Sequence, residues 1–149
     1  MKLEFVAIPK DGEYESPETD APTAVADVVG AMTALYGVSG YEPPWIGYLI
    51  KENGRFVGTC GFKSPPQYDR VEIAYFTFPE HESRGIATEM AAELIRMALD
   101  ARPDVTIAAQ TLPKESASTA ILKKLNFAFV ETVDHPEDGL VWEWQLRQV

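Results

Sequence analysis

The chain has 149 residues, enough for one domain with a real core and too few for two full domains. Hydrophobic residues make up 46% and charged residues 24%, and no apolar run reaches membrane-spanning length; a formal charge of −10 argues against nucleic-acid or anionic-membrane partners, which favour basic surfaces. One cysteine, Cys60, excludes an internal disulfide framework and gives no metal cluster. Met1–Lys10 lacks a signal peptide's apolar block, so a reducing cytoplasm is the expected location.

In chain order, Lys2–Ile8 reads as a first strand and Pro9–Pro22, acidic and rich in Pro, Gly and Ser, as a loop. Thr23–Gly37 sets Ala24, Val25, Val28, Val29, Met32 and Leu35 on one helical face, with Gly37 as the expected stop. Val38–Trp45 is a loop. Trp45–Phe62 is the clearest hairpin, turning at Asn53-Gly54. Arg70–Phe78 is a strand rich in β-branched and aromatic residues. The helix after Ser83-Arg84-Gly85 buries Ala87, Met90, Ala91, Leu94, Ile95 and Ala98, and Pro103 blocks its continuation. Val105–Gln110 is a short buried strand, Glu115–Leu125 a short helix, and Phe127–Val133 and Leu140–Leu146 a hairpin-like pair. This order predicts a mixed α+β sheet with helices packed on it, a single domain over residues 1–149.

The functional signal sits at the junction FTFPEHESRGIATEM, Phe76–Met90. A strand runs into a charged loop and then into a helix through Arg84-Gly85-Ile86-Ala87. Gly85 lets backbone approach a ligand closely, and small Ala87 keeps bulk away. First-turn N–H groups and the helix dipole supply positive potential without a lysine, which suits a phosphate group. A glycine before a helix is common, so the junction alone also fits an ordinary strand-to-helix turn.

Two motifs decide between these readings. Glu82–Ala87, ESRGIA, resembles the Q/R-x-x-G-x-G/A pyrophosphate loop of the GNAT superfamily of acetyl-CoA-dependent N-acetyltransferases. Glu72–Met90 is in register with the loop of the branch containing ribosomal-protein N-terminal acetyltransferases, and Glu115–Phe127 resembles that family's N-x-x-S-x-x-x-L-x-K-x-G-F. The order of expected elements also follows the family from end to end. The resemblance implies a GNAT-like, mostly antiparallel central sheet of six to seven strands, splayed mid-sheet and flanked by helices. It implies direct acetyl transfer from acetyl-CoA, the cosubstrate, to a primary amine, with no metal. The implied partners are an amine-bearing small molecule or a protein N-terminus, with a homodimer as a further option, and neither nucleic acid nor membrane.

Residue roles follow from the same resemblance. Backbone groups of Tyr75, Phe76, Thr77 and Phe78 would pair with the pantetheine amides. Glu82, Ser83, Arg84, Gly85, Ile86, Ala87 and Thr88 would hold the pyrophosphate, and Lys124 would reach a cofactor phosphate. Glu72 matches a position used as a base in parts of the family; its bland reading is a solvated strand residue or an ion-pair partner of Arg70. Tyr36, Tyr41 and Trp45 would line the acceptor pocket, or simply close the core at its edge. Several positions depart from the pattern. Glu82 puts a negative charge beside the pyrophosphate, Glu115 replaces Asn, and Asn126 replaces a glycine but tolerates a left-handed backbone. Leu122 stands where many relatives carry a proton-donating tyrosine, leaving Ser118 as the family-matched hydroxyl. The alternative function is an acyl-CoA-binding protein of regulatory or structural role with little transfer activity. Cys60 reads as a small core residue, and His81 as a surface one.

Overall fold

The computed structural model describes residues 1–14 and 23–147, so residues 15–22 of the expected Pro9–Pro22 loop lie outside the described residues. The elements are β1 (Glu4–Ala7), α1 (Thr23–Ser39), β2 (Gly47–Glu52), β3 (Arg55–Phe62), β4 (Arg70–Thr77), α2 (Ile86–Ala101), β5 (Thr106–Thr111), α3 (Ala117–Lys124), β6 (Phe127–His135) and β7 (Gly139–Leu146). A single 3-10 turn, Pro79–His81, links β4 towards α2. The strands form one sheet in the order β1-β2-β3-β4-β5-β7-β6. Every pairing is antiparallel except β4 with β5. This is the expected mixed, mostly antiparallel α+β architecture. Among the described residues no helix is long and apolar enough to cross a membrane.

Local chemistry accounts for the element ends. Asn53 and Gly54 both have positive φ (52° and 77°), the backbone that matches a two-residue hairpin to the strands' twist. The stop of α1 differs from expectation: the helix passes Gly37 and ends at Ser39, before Gly40. Gly40 takes φ +98°, and its N–H donates to Tyr36 O at 2.9 Å. An interior glycine costs a helix only about 1 kcal/mol, whereas the left-handed turn that ends one favours glycine at that position. The start of α3 is set by a capping box: Ser116 Oγ accepts from the Thr119 N–H, and Thr119 Oγ1 accepts from the Ser116 N–H. Helix α2 ends at Ala101 with the Arg102 N–H on Ala98 O, ahead of Pro103.

The packing that frames the site depends on two paired glycines. Gly47 faces Gly61 across β2 and β3. A Cβ on Gly61 would lie 2.6 Å from Ile46 O, and one on Gly47 would lie 2.6 Å from Met32 Cγ. Bare Gly47 lets α1 settle on the sheet through Met32, and bare Gly61 lets β3 lie close against the Ile46–Gly47 backbone. Phe62, Ile73, Leu94, Ile107 and Leu122 lie at the centre of the core.

The sheet opens in its middle. Strands β4 and β5 pair only over Arg70↔Thr106, Val71↔Ile107 and Glu72↔Ala108. Beyond Glu72, β4 stays on β3 from Ile73↔Phe62 to Thr77↔Gly58, while β5 follows β7 to Thr111↔Trp142. The β5-facing backbone of Ile73–Thr77 is therefore left without a strand partner.

Candidate active site

The opening leads into a groove of about 390 Å³ lined by Tyr75, Phe76 and Thr77 of β4, by His81–Ser83 and Gly85–Thr88 of the junction, and by Ala117, Ser118 and Ile121 of α3. Its floor is the start of α2. Gly85 caps that helix with φ +83° and brings no side chain. The Glu89 N–H bonds Gly85 O at 3.1 Å, so helical geometry leaves the N–H groups of Ile86, Ala87 and Thr88 without intrahelical acceptors. Ser83 also has positive φ (63°). Left-handed residues set close together turn successive N–H groups to one side and form a concavity suited to an anion. Above Gly85 the space is open, since a Cβ there would meet only Met1 Cε, at 3.8 Å. Thr77 Oγ1 is buried and has no hydrogen-bond partner among the described residues. These features fit a ligand with a phosphate end and an amide-bearing arm.

The positive potential of the groove is a backbone property. Arg84 turns away from it and pairs with Glu52, Nη2 to Oε1 at 2.7 Å. Glu82 is exposed at the rim. No lysine or arginine lines the groove among the described residues, so the N-terminal dipole of α2 is its main attraction for an anion.

Next to the groove lies a smaller cleft of about 100 Å³, lined by Lys63, Glu72, Tyr75, Gln110, Thr111 and Ser118 among others. It brings together Glu72 and Ser118, and Tyr75 and Ser118 line both hollows. Glu72 is only 12% exposed, with Oε2 2.8 Å from Lys63 Nζ and Oε1 3.5 Å from Arg70 Nη2. The Lys63 contact is a close ion pair whose angle falls outside hydrogen-bond alignment. Arg70's stronger partner is Glu143, which it grips with Nε at 3.0 Å and Nη2 at 2.6 Å. Gln110 and Gln145 also donate to Glu143, each at 3.0 Å. The carboxylate nearest the splay thus stands on a partly buried hydrogen-bonded network joining β4, β5 and β7.

That network has a measurable signature. Burial pushes the Glu143 carboxyl up, but hydrogen bonds from Arg70, Gln110 and Gln145 outweigh it and hold the group below its ordinary value. A carboxyl held low in the folded state contributes stability above its unfolded value, lost as pH falls through the folded one. Glu143→Gln should lower neutral-pH stability by about 2 kcal/mol, less than a fully buried broken pair because Arg70 is partly exposed. Urea midpoints followed from pH 7 to about 3 should fall less steeply in the variant than in the parent once the pH drops below the ordinary carboxyl value of about 4.3. Parallel curves would contradict the ionised assignment.

The structure sorts the sequence candidates into three groups. Tyr75, Phe76, Thr77, Glu82, Ser83, Gly85, Ile86, Ala87, Thr88 and Ser118 line the groove, and Glu72 lies beside it. Phe78 does not line it: its ring is buried and its N–H is taken by Val57 O at 2.9 Å. The Arg84 guanidinium pairs with Glu52, and Lys124 sits exposed in the last turn of α3. Tyr36 and Trp45 are core residues, the second of the two readings given for them. The Tyr36 hydroxyl donates to Ile8 O at 2.7 Å and accepts from the Gly47 N–H at 3.0 Å, tying α1 to β2. Tyr41 packs edge-on against Tyr36, and Trp45 against Phe62.

Leu122 is fully buried, so the groove-facing surface of α3 belongs to Ala117, Ser118 and Ile121. Asn126 takes φ 74°, the left-handed backbone expected of it. Burial, then the charge of Glu93, pushes the Cys60 thiol well up, which suits a packing residue and not a nucleophile. Sequence reading missed Lys63, whose contact with Glu72 spans the β3–β4 connection, and the side chain of Tyr75. Tyr75 was visible as a phenol on the splayed strand. Burial pushes its hydroxyl up to about 12, so it keeps its proton at neutral pH. His81, read as a surface residue, is half-buried and lines the groove.

Comparison with known proteins agrees with this geometry. The model of the acetyltransferase (GNAT) domain matches residues 4–128, and the chain belongs to the GNAT acetyltransferase family. An uncharacterized N-acetyltransferase p20 of Bacillus licheniformis is 31% identical over 80 residues, 53% of this chain. The match spans 45% of that relative's length. Two solved structures share the fold at low identity. RimL, a ribosomal L7/L12 alpha-N-protein acetyltransferase in complex with coenzyme A, aligns with TM-score 0.61 and 17% identity over 82% of this chain and 70% of its own. A spermidine N-acetyltransferase SpeG chimera from Vibrio cholerae and hSSAT aligns with TM-score 0.69 and 10% identity over 98% and 95%.

Proposed function

We propose that the groove takes acetyl-CoA and that the protein passes its acetyl group directly to a primary amine. The observation that carries this reading is the parting of β4 from β5 directly beside the glycine-capped start of α2. One end offers unpaired strand backbone to an amide-bearing arm, and the other offers free N–H groups to a pyrophosphate. Both solved relatives named above act on primary amines by their names, one on a protein N-terminus and the other on spermidine. In the reaction the amine nitrogen bonds to the thioester carbonyl carbon, the carbon–sulfur bond breaks, the amine loses a proton and the departing thiolate gains one.

The chain's residues divide that work. Backbone of Tyr75–Thr77 holds the arm beside β4, and Ile86, Ala87 and Thr88 N–H groups anchor the phosphates. Glu72, held by Lys63 and Arg70, orients the incoming amine or a water that takes its proton. Ser118 faces the groove, where its hydroxyl donates towards the leaving sulfur. The cytoplasm, where acetyl-CoA is made and used, is the matching location.

Incubation with acetyl-CoA and a panel of amines, following free thiol release, tests the proposal. Amine-dependent thiol release is expected; tight acetyl-CoA binding with no release for any amine would favour the silent-binder alternative. Ser118→Ala should slow turnover about two- to tenfold, below the 10²–10⁴ of a lost general acid, because water can replace a hydroxyl. An unchanged rate would remove Ser118 from the site.

A further inference from the structure

A second hollow, of about 310 Å³, opens on the α1 side of the splayed strand. Val28, Ala31, Met32 and Leu35 of α1 form one wall, at the i, i+3, i+4, i+7 spacing of a single helical face. Met32 and Leu35 were read from sequence as core positions, yet they are only half-buried, as is Val28. The opposite wall is strand, to which Thr59, Phe62, Ala74, Tyr75 and Phe76 contribute. Tyr75 and Phe76 line the acetyl-CoA groove as well, and Lys63, Ala74 and Tyr75 line the Glu72 cleft. The three hollows therefore converge on the Ala74–Phe76 stretch of β4.

The chemistry of this hollow is one-sided. Among the described residues its only charged lining residue is a cation, Lys63, and no carboxylate lines it. An acceptor carrying a second ammonium would meet aliphatic groups and the Lys63 ammonium, already paired with Glu72, and no described carboxylate in the hollow to pair with. An apolar group, by contrast, gains by leaving water. The volume is at the small end of ligand pockets and suits one side-chain-sized body.

We infer that the hollow between α1 and β3–β4 receives the uncharged, apolar body of the acceptor, so the substrate class is a primary monoamine on an aliphatic or aromatic group and not a polyamine. Such a body places its amine at the shared Ala74–Phe76 wall, between Glu72 and the thioester. This inference rests on the acetyl-transfer reading for the amine's fate, but occupancy of the hollow can be read without transfer.

The experiment has a binding arm and a rate arm. In protein labelled with 13C at the methionine methyls, with the Met32 resonance assigned through Met32→Leu, phenethylamine should shift that resonance saturably and putrescine should not. In thiol release, kcat/KM for phenethylamine should exceed that for putrescine by about a hundredfold or more. Ala31→Asp, at an exposed position of α1, should narrow that ratio by placing a carboxylate in the hollow. Saturable binding with no thiol release for any amine would sink the transferase reading and leave standing only the preference of the hollow for an apolar amine. A Met32 resonance indifferent to phenethylamine, or equally responsive to putrescine, overturns the inference whatever the transfer rates.

Discussion

Gly85→Val is expected to abolish acetyl-CoA binding while leaving the fold in place. Gly85 sits at φ +83°, where a β-branched side chain is a marked outlier, and left-handed backbone alone costs an L-residue about 1–2 kcal/mol. A Cβ has no close neighbour, so the cost is conformational and the loop relieves it by changing course. That change takes the Ile86, Ala87 and Thr88 N–H groups off the phosphate position. Among the described residues no lysine or arginine lines the groove to compensate. Calorimetry should show affinity down by about a hundredfold or more, near 2.7 kcal/mol, with the melting temperature within about 5 °C of the parent. Parental affinity in the variant would mean that the phosphates bind elsewhere and that the start of α2 is only structural.

The second large effect is expected from Glu72→Gln. Deprotonating a lysine-type amine at pH 7 costs about 4.6 kcal/mol, against about 1.4 for an α-amine, so a base has more to do for the first. Glu72 is already shared between Lys63 and Arg70, an arrangement that fixes the carboxylate in place. Its larger contribution is orientation, and a rate loss of about tenfold to a hundredfold follows, at the low end for groups that handle the proton as well. Acetyl-CoA affinity should stay near the parent's, because Glu72 lines the adjoining cleft and not the phosphate end of the groove. The loss should persist from pH 7 to 9. A loss that vanishes towards pH 9, where the amine sheds its own proton, would instead make Glu72 the base. No loss at any pH would take it out of the mechanism.

Much of this arrangement was legible because it is local. Asn53-Gly54 announces its hairpin and Gly85 its helix start, each decided within a few residues of chain; the Ser116–Thr119 capping box, which starts α3 at Ala117, was not read. The motifs at Glu82–Ala87 and Glu115–Phe127 carried the rest of the fold through family resemblance. What escaped was set by long-range contact. The direction of the Arg84 side chain is one example, since its guanidinium pairs with Glu52 on β2. Tyr36 reads as a pocket aromatic until Ile8 and Gly47 claim both roles of its hydroxyl. The apolar face of α1 reads as core in sequence, since periodicity tells which side is apolar and not whether the sheet fills it. Gly37 reads as the stop of α1, yet the helix closes at Gly40, whose N–H reaches Tyr36 O.

The central claim is that acetyl leaves a thioester in the groove and arrives on an amine without stopping elsewhere. Acetyl-CoA labelled with 13C at the acetyl carbonyl, mixed with the protein and an apolar primary amine, reports this directly by NMR. The account predicts that the thioester carbonyl signal falls as one amide carbonyl signal rises in equal amount, at a rate proportional to protein. A thioester signal that stays constant, or one that is replaced by free acetate, would contradict it.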